Sequence, residues 1–199
     1  MKLHPQNPNS RSQRGASLIV VVMILIIVSI LGIGGAQIAL MSERGARNDT
    51  VYQLAWQASE AGLMEAEMDI RTGTRKDLFA ANTQLAFVDG CGADGTTSRG
   101  LCLPKTSGAT PAWLAVDLLT ANGNFTEFGD FTSRVFESGA DGIQPALPPR
   151  YVIEVLDDPD LGGNLTLGKG KKYIYRVTSM GFGSKPEIRA VMQMVFRKE

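Results

Sequence analysis

Hydrophobic positions along the chain fall into three regimes. From Ala16 to Met41 they form an almost unbroken run, ASLIVVVMILIIVSILGIGGAQIALM, and no charged residue occurs from Gly15 to Ser42. Further on they thin to a single stripe. Val51, Leu54, Ala55, Ala58, Ala61 and Gly62 recur at spacings of three and four, which is the helical period. Near the C-terminus they alternate: Tyr151, Ile153 and Val155, then Tyr173, Tyr175 and Val177, then Ile188, Ala190, Met192 and Met194. A period of two marks strands.

The first two regimes predict one helix from Ala16 to about Arg71, some 84 Å at the α-helical rise. Its stripe is expected to pack under a C-terminal sheet, with Trp56 near the edge. Glu60, Glu65, Glu67 and Asp69 read as solvated. The strands lie in RYVIEVLDD, KKYIYRVTSMGFG and PEIRAVMQMVFRK, with Val191, Val195 and Phe196 on or near the other face. A longer connection from Asp157 to Lys171 and a tight one from Gly181 to Pro186 favour an antiparallel meander. The fold class is therefore α+β: a long N-terminal helix on a small antiparallel sheet. From Gly73 to about Leu103 periodicity is lost. Ala112 to Leu119 reads equally as helix or strand, Asn122 to Asn124 is a turn signal, and GADGIQPALPPR is a loop. The expected organisation is a leader over 1–15, a transmembrane helix over 16–41, its continuation over 42–72, and a globular head over 73–199.

Length decides what the apolar run is. Twenty-six helical residues span about 39 Å, more than a hydrocarbon core of roughly 30 Å. Secretory h-regions run about 7–15 residues, with a small-residue cleavage site after them. Here the sequence continues as GARNDTVYQLAWQASEAGLMEAEMDI, which still reads as helix. Lys2, Arg11 and Arg14 precede the run without an acid, whereas Glu43, Arg44, Arg47 and Asp49 after it are balanced. The positive-inside bias puts the N-terminus in the cytoplasm and the head outside. Twenty basic and twenty acidic residues, with the cations scattered, give no basic stripe for nucleic acid.

A short basic leader ends in Arg14-Gly15 and abuts the apolar run directly. That junction resembles the class III leader of type IV pilins and pseudopilins. The resemblance implies cleavage by a prepilin peptidase between Gly15 and Ala16 on the cytoplasmic side, and methylation of the new amine on Ala16. Most pilins carry Glu at the fifth mature position, where it pairs with the N-terminal amine of a neighbouring subunit; here that position is Val20. An unpaired carboxylate in a bilayer is costly, so its absence changes the logic of assembly. Some minor pilins and one pseudopilin lack the Glu and are placed at or near the filament tip. The segment GASLIVVVMILIIVSILGIGGAQIALMSERGARN…QLAWQASEAGLMEAE is similar to the N-terminal region of PilX-type minor pilins. Gly-Leu-Cys followed by Pro and Trp113 resembles their globular domains.

The resemblance implies a minor pilin that primes type IV pilus assembly at the tip. Its implied partners are other minor and major pilins, prepilin peptidase, the inner membrane and a tip adhesin, with a role in cell adhesion left open. Alternatives are a type II secretion minor pseudopilin or a single-pass membrane-anchored binding protein. Small residues at Gly32, Gly34, Gly35, Ala36, Ala39, Ala55, Ala58 and Ala61 permit close helix approach. Gly34-Gly35 costs helix stability, which makes Gly32 to Gly35 a candidate for local unwinding on assembly.

Little else in the chain carries chemistry. Cys91 and Cys102 are the only cysteines, too far apart for C-x-x-C and too few for a zinc site. Outside the cytoplasm they read as a disulfide. His4, the only histidine, lies in the expected leader, so the mature chain lacks imidazole for triads or metal ligation. Asp157, Asp158 and Asp160 are a conceivable calcium loop without EF-hand spacing, and a solvated loop is the simpler reading. No nucleophile and base pair stands out, and the expectation is a non-enzymatic protein with no cofactor and no metal.

Overall fold

The computed structural model describes residues 16–79, 83–105, 109–139, 143–159 and 172–198. Helix α1 covers Ala16–Arg71, followed by a 3-10 turn at Lys76–Phe79. Strand β1 is Leu101–Cys102, helix α2 is Ala112–Ala115, and β2 is Thr126–Glu127. The long strands are β3 at Arg150–Asp157, β4 at Tyr173–Phe182 and β5 at Arg189–Phe196. The chain divides into two compact units, one up to Arg47 and one from Asn48.

The first unit contains the apolar part of α1. Its large hydrophobic side chains from Leu18 to Met41 are all exposed. The helix is regular through Gly32, Gly34 and Gly35, and a Cβ at any of the three would meet open space.

The second unit is built on a five-stranded sheet of order β1-β3-β4-β5, with β2 also paired to β3. β3, β4 and β5 form the expected antiparallel meander, with Tyr151 opposite Ser179 and Ser179 opposite Met192. Two short strands absent from the hydrophobic pattern join it. β2 is antiparallel to β3, and β1 runs parallel to it, so the sheet is mixed. Two-residue strands show no alternation to read; Ile153 N–H donating to Gly100 O (2.8 Å) helps fix β1 in place.

Tyr151, Ile153, Val155, Tyr175 and Val177 point to one face and meet Ile70 of α1. Phe79 and Phe87 close the same core, edge-on and stacked against Tyr175 at 5.5 and 5.8 Å. Phe196, expected on or near the other face, packs against this core from its partly buried position, as its parity with Met192 and Met194 requires. The opposite face carries a second cluster. Val152 and the disulfide-bonded cysteines pack there against Ala112, Leu118 and Phe125. Of the ambiguous segment, Ala112–Ala115 is a single helical turn and Val116 to Leu119 is neither helix nor strand; Asn122 takes a left-handed φ of 59° in the turn after it.

Two glycines set how closely α1 approaches the sheet. A Cβ on Gly181 of β4 would collide with the helix backbone at Ser59 N and Ala55 O; one on Gly62 would collide with Ser179 Oγ and touch Pro149 Cβ at 3.1 Å. Ser59 uses the contact, donating its hydroxyl to Ser179 O at 3.0 Å. The small residues Ala55 and Ala58 are buried here, so their size serves packing within the chain.

Candidate functional site

The sequence-predicted residues divide sharply. Gly15 lies outside the described residues, and Ala16 begins α1. Val20 is exposed on α1. The helix has a window of mean hydropathy 3.1, none of it buried. Roughly 25 cal/mol per Å² of apolar surface opposes leaving such a helix in water. It needs an apolar partner, either a bilayer or other helices.

Cys91 and Cys102 form a disulfide. The loop between them is held to α1 by charge. Asp69, fully buried, accepts from Arg75 Nη2 at 2.5 Å and from Arg75 Nε at 3.0 Å. The Tyr151 hydroxyl donates to the same carboxylate at 2.9 Å. Arg75 then spends its remaining donors on the disulfide loop and β2: Nη1 on Thr97 O (3.0 Å) and Arg99 O (2.6 Å), Nη2 on Thr126 Oγ1 (3.0 Å). Its guanidinium stacks over Phe131 at 3.6 Å. Burial, reinforced by the Asp69 charge, pushes the Tyr151 hydroxyl well above the ordinary phenol range.

One turn earlier, Glu65 does the same for the next loop. It is fully buried and accepts from Gly129 N–H (3.1 Å), the Thr132 hydroxyl and Arg134 Nη1 (2.9 Å). Glu65 and Asp69 were expected to be solvated; the structure corrects this. A signal was present in the spacing. Ala55, Ala58, Gly62, Glu65 and Asp69 alternate by three and four, so both acids continue the apolar stripe. Their partners Arg75, Arg134 and Tyr151 left no local trace.

Arg150 is the third anchor, on the opposite face. Its Nη1 donates to Leu118 O and Leu119 O, each at 2.9 Å, its Nε to Glu127 at 3.3 Å, and it lies over Phe125 at 4.6 Å. Beside it a shallow cleft of about 320 Å³ runs along Cys91, Lys105, Ala112, Val116, Asp117 and Asn124. The Thr120 hydroxyl hydrogen-bonds Asp117 and holds its carboxyl below the usual range.

Of the acidic loop, Asp160 lies outside the described residues. Asp158 is buried and accepts from Arg197 Nη2 at 2.9 Å, so that carboxylate is engaged within the chain. Among the described residues no three His, Cys, Asp or Glu side chains converge to hold a metal.

What this arrangement offers is mechanical. An unburied apolar helix passes without interruption into a helix whose carboxylates and small residues bind a loop-rich head. Two family models match the chain: the PilX N-terminal region over residues 14–63, and the C-terminal region of the type IV pilus assembly protein PilX over residues 98–198. No curated protein and no solved structure matches.

Proposed function

Because the chain belongs to the PilX family of type IV pilus assembly proteins, we propose that it is a minor pilin that primes assembly at the filament tip after its leader is removed. Prepilin peptidase cuts between Gly15 and Ala16, and the amine of Ala16 is methylated. The N-terminus faces the cytoplasm and the head the periplasm, in keeping with the charge bias across the apolar run. Its partners are other pilins and a tip adhesin, and its work is packing, without catalysis.

The observation that carries this reading is the exposed apolar half of α1 continuing into the packed half within one helix. A bilayer and a bundle of pilin helices are both apolar, so burial alone favours neither. The same surface therefore serves first as anchor and then as assembly contact. The missing carboxylate at Val20 supports a tip position. A first subunit has no subunit ahead of it whose amine must be neutralised.

The test is Gly15→Val in the full chain. It blocks scission, so the protein stays about 1.6 kDa heavy, the mass of fifteen residues at the chain's mean, and fails to restore pili to a strain lacking the chain. Mass spectrometry of the native protein should find methylated Ala16 first. A mature protein beginning at Met1, or beyond the apolar run, rules the reading out.

A further inference from the structure

β5 is the edge of the sheet. β4 pairs one side of it, and no described residue pairs the other. The hairpin closes with Gly183 N–H donating to Ile188 O at 2.7 Å. From that pair the antiparallel alternation runs through Gly181 opposite Ala190, Ser179 opposite Met192 and Val177 opposite Met194. Ala190, Met192, Met194 and Phe196 therefore turn their main-chain groups to β4. Arg189, Val191, Gln193 and Val195 turn theirs outward. The register is continuous over eight pairs, so no bulge bends the edge away.

Proteins usually protect such an edge with lysine, proline, a bulge or a short strand. β5 has eight residues, RAVMQMVF, without lysine or proline. The side chains beside the outward groups, Val191 and Val195, are 48% and 60% exposed. At one end Arg189 is exposed and has no ion-pair partner among the described residues.

We propose that the β5 edge receives an extended segment of a different pilus protein as an added strand. Its apolar or β-branched residues cover Val191 and Val195, and an acidic residue meets Arg189. The helix packed on one face of the sheet disfavours a second copy of this chain as the occupant. In antiparallel self-pairing, the two-fold axis stands normal to the sheet and sets the packed helices of the two copies antiparallel. Their Asn48 ends, from which each apolar segment leads, then point opposite ways. Two copies held by one bilayer or one filament do not meet like that. Self-pairing centred on Gln193 also sets Arg189 against Arg197, which Asp158 already engages, so it offers Arg189 no acidic partner. A foreign strand with an acidic residue escapes the first conflict and supplies that partner. This inference rests on the pilus-assembly reading above and names the surface through which it works.

The test places the photo-crosslinking residue p-benzoylphenylalanine at Val195 of the full chain in piliated cells, with Gln57 on the exposed helix face as the control position. The expected product joins position 195 to an extended segment of another pilus protein. Gln193→Pro removes one outward N–H, leaves the main-chain bonds to β4, and loses the side-chain bond from Gln193 Nε2 to Thr178 Oγ1 (2.7 Å); it should lower that adduct at least tenfold. Gln193→Thr loses the same side-chain bond but keeps the N–H, and should leave the adduct. Val191→Asp, a surface change that leaves the β4 pairing intact, is the second variant and should lower the adduct likewise, whether or not the proline variant folds. Adducts only to a second copy of this chain, an adduct indifferent to both variants, or none at position 195 would overturn the inference. Deleting the chain without loss of pili would instead count against the pilus-assembly reading, while the crosslink still reports on the edge.

Discussion

The buried pair of Asp69 and Arg75 allows a sharp quantitative test. Both side chains are almost wholly shielded, at 0% and 2% exposure. Asp69→Ala strands a guanidinium away from water and leaves the Tyr151 hydroxyl without its acceptor. Removing one member of a buried pair costs about 3–5 kcal/mol. Arg75→Met leaves the Asp69 carboxylate with Tyr151 alone and takes a donor from Thr97 O and Arg99 O, so a similar loss is expected. The double variant Asp69→Leu with Arg75→Met behaves differently. It abandons no charge, and its cost is that of the tethers to the disulfide loop and Thr126 together with the Tyr151 hydroxyl bond. Four bonds at about 0.5–1.5 kcal/mol each put that near 4 kcal/mol. The two single losses sum to about 6–10 kcal/mol, so the coupling in a double-mutant cycle should exceed about 2 kcal/mol. Thermal unfolding of the full chain in detergent, followed by near-ultraviolet circular dichroism, measures it. Each single variant should melt about 10 °C lower or more. Singles that cost under about 1 kcal/mol, or a double equal to their sum, would refute the claim that this pair anchors the loops to α1.

Gly181→Ala should destabilise more than Gly62→Ala, by at least about 1 kcal/mol in denaturant titration, because overpacking against backbone relaxes less than overpacking against a side chain; Gly181 meets helix main chain, Gly62 mainly Ser179 Oγ. Replacing both Cys91 and Cys102 by Ser opens an eleven-residue separation and should cost about 3 kcal/mol in the chain-entropy model; an unchanged midpoint would show that Arg75 alone holds the loop. Burial raises the Tyr175 hydroxyl to about 12 from its ordinary 10.0. A raised folded value means a contribution fully present below about pH 10 and lost as pH rises through about 12. Alkaline unfolding monitored between those values should therefore be shallower in Tyr175→Phe.

The hydrophobic pattern alone determined the long elements. α1 was legible because an unbroken apolar run of membrane length passes into a stripe of helical period, and Gly73, where a Cβ would strike the Asp69 backbone, marks its close. The three long strands were legible because Tyr151, Ile153 and Val155, then Tyr173, Tyr175 and Val177, then Met192 and Met194 all belong to one core, which imprints period two on the sequence even though β3 is buried on both faces. Pairing the two cysteines needed only their number and the compartment expected from the charge bias. The roles of Glu65 and Asp69 were decided by tertiary structure. A carboxylate on a packed face reads as solvated until a guanidinium is brought to it, and Arg75, Arg134 and Tyr151 arrive from segments 6, 69 and 82 positions away. β1 and β2 belong to the same class, since two residues are too short to carry a period and only the bonds to β3 define them. The flank of β5 that no described residue pairs is likewise invisible in a strand's own pattern: which flank of a strand lacks a neighbour depends on the order of strands in the sheet, a property of the assembled chain.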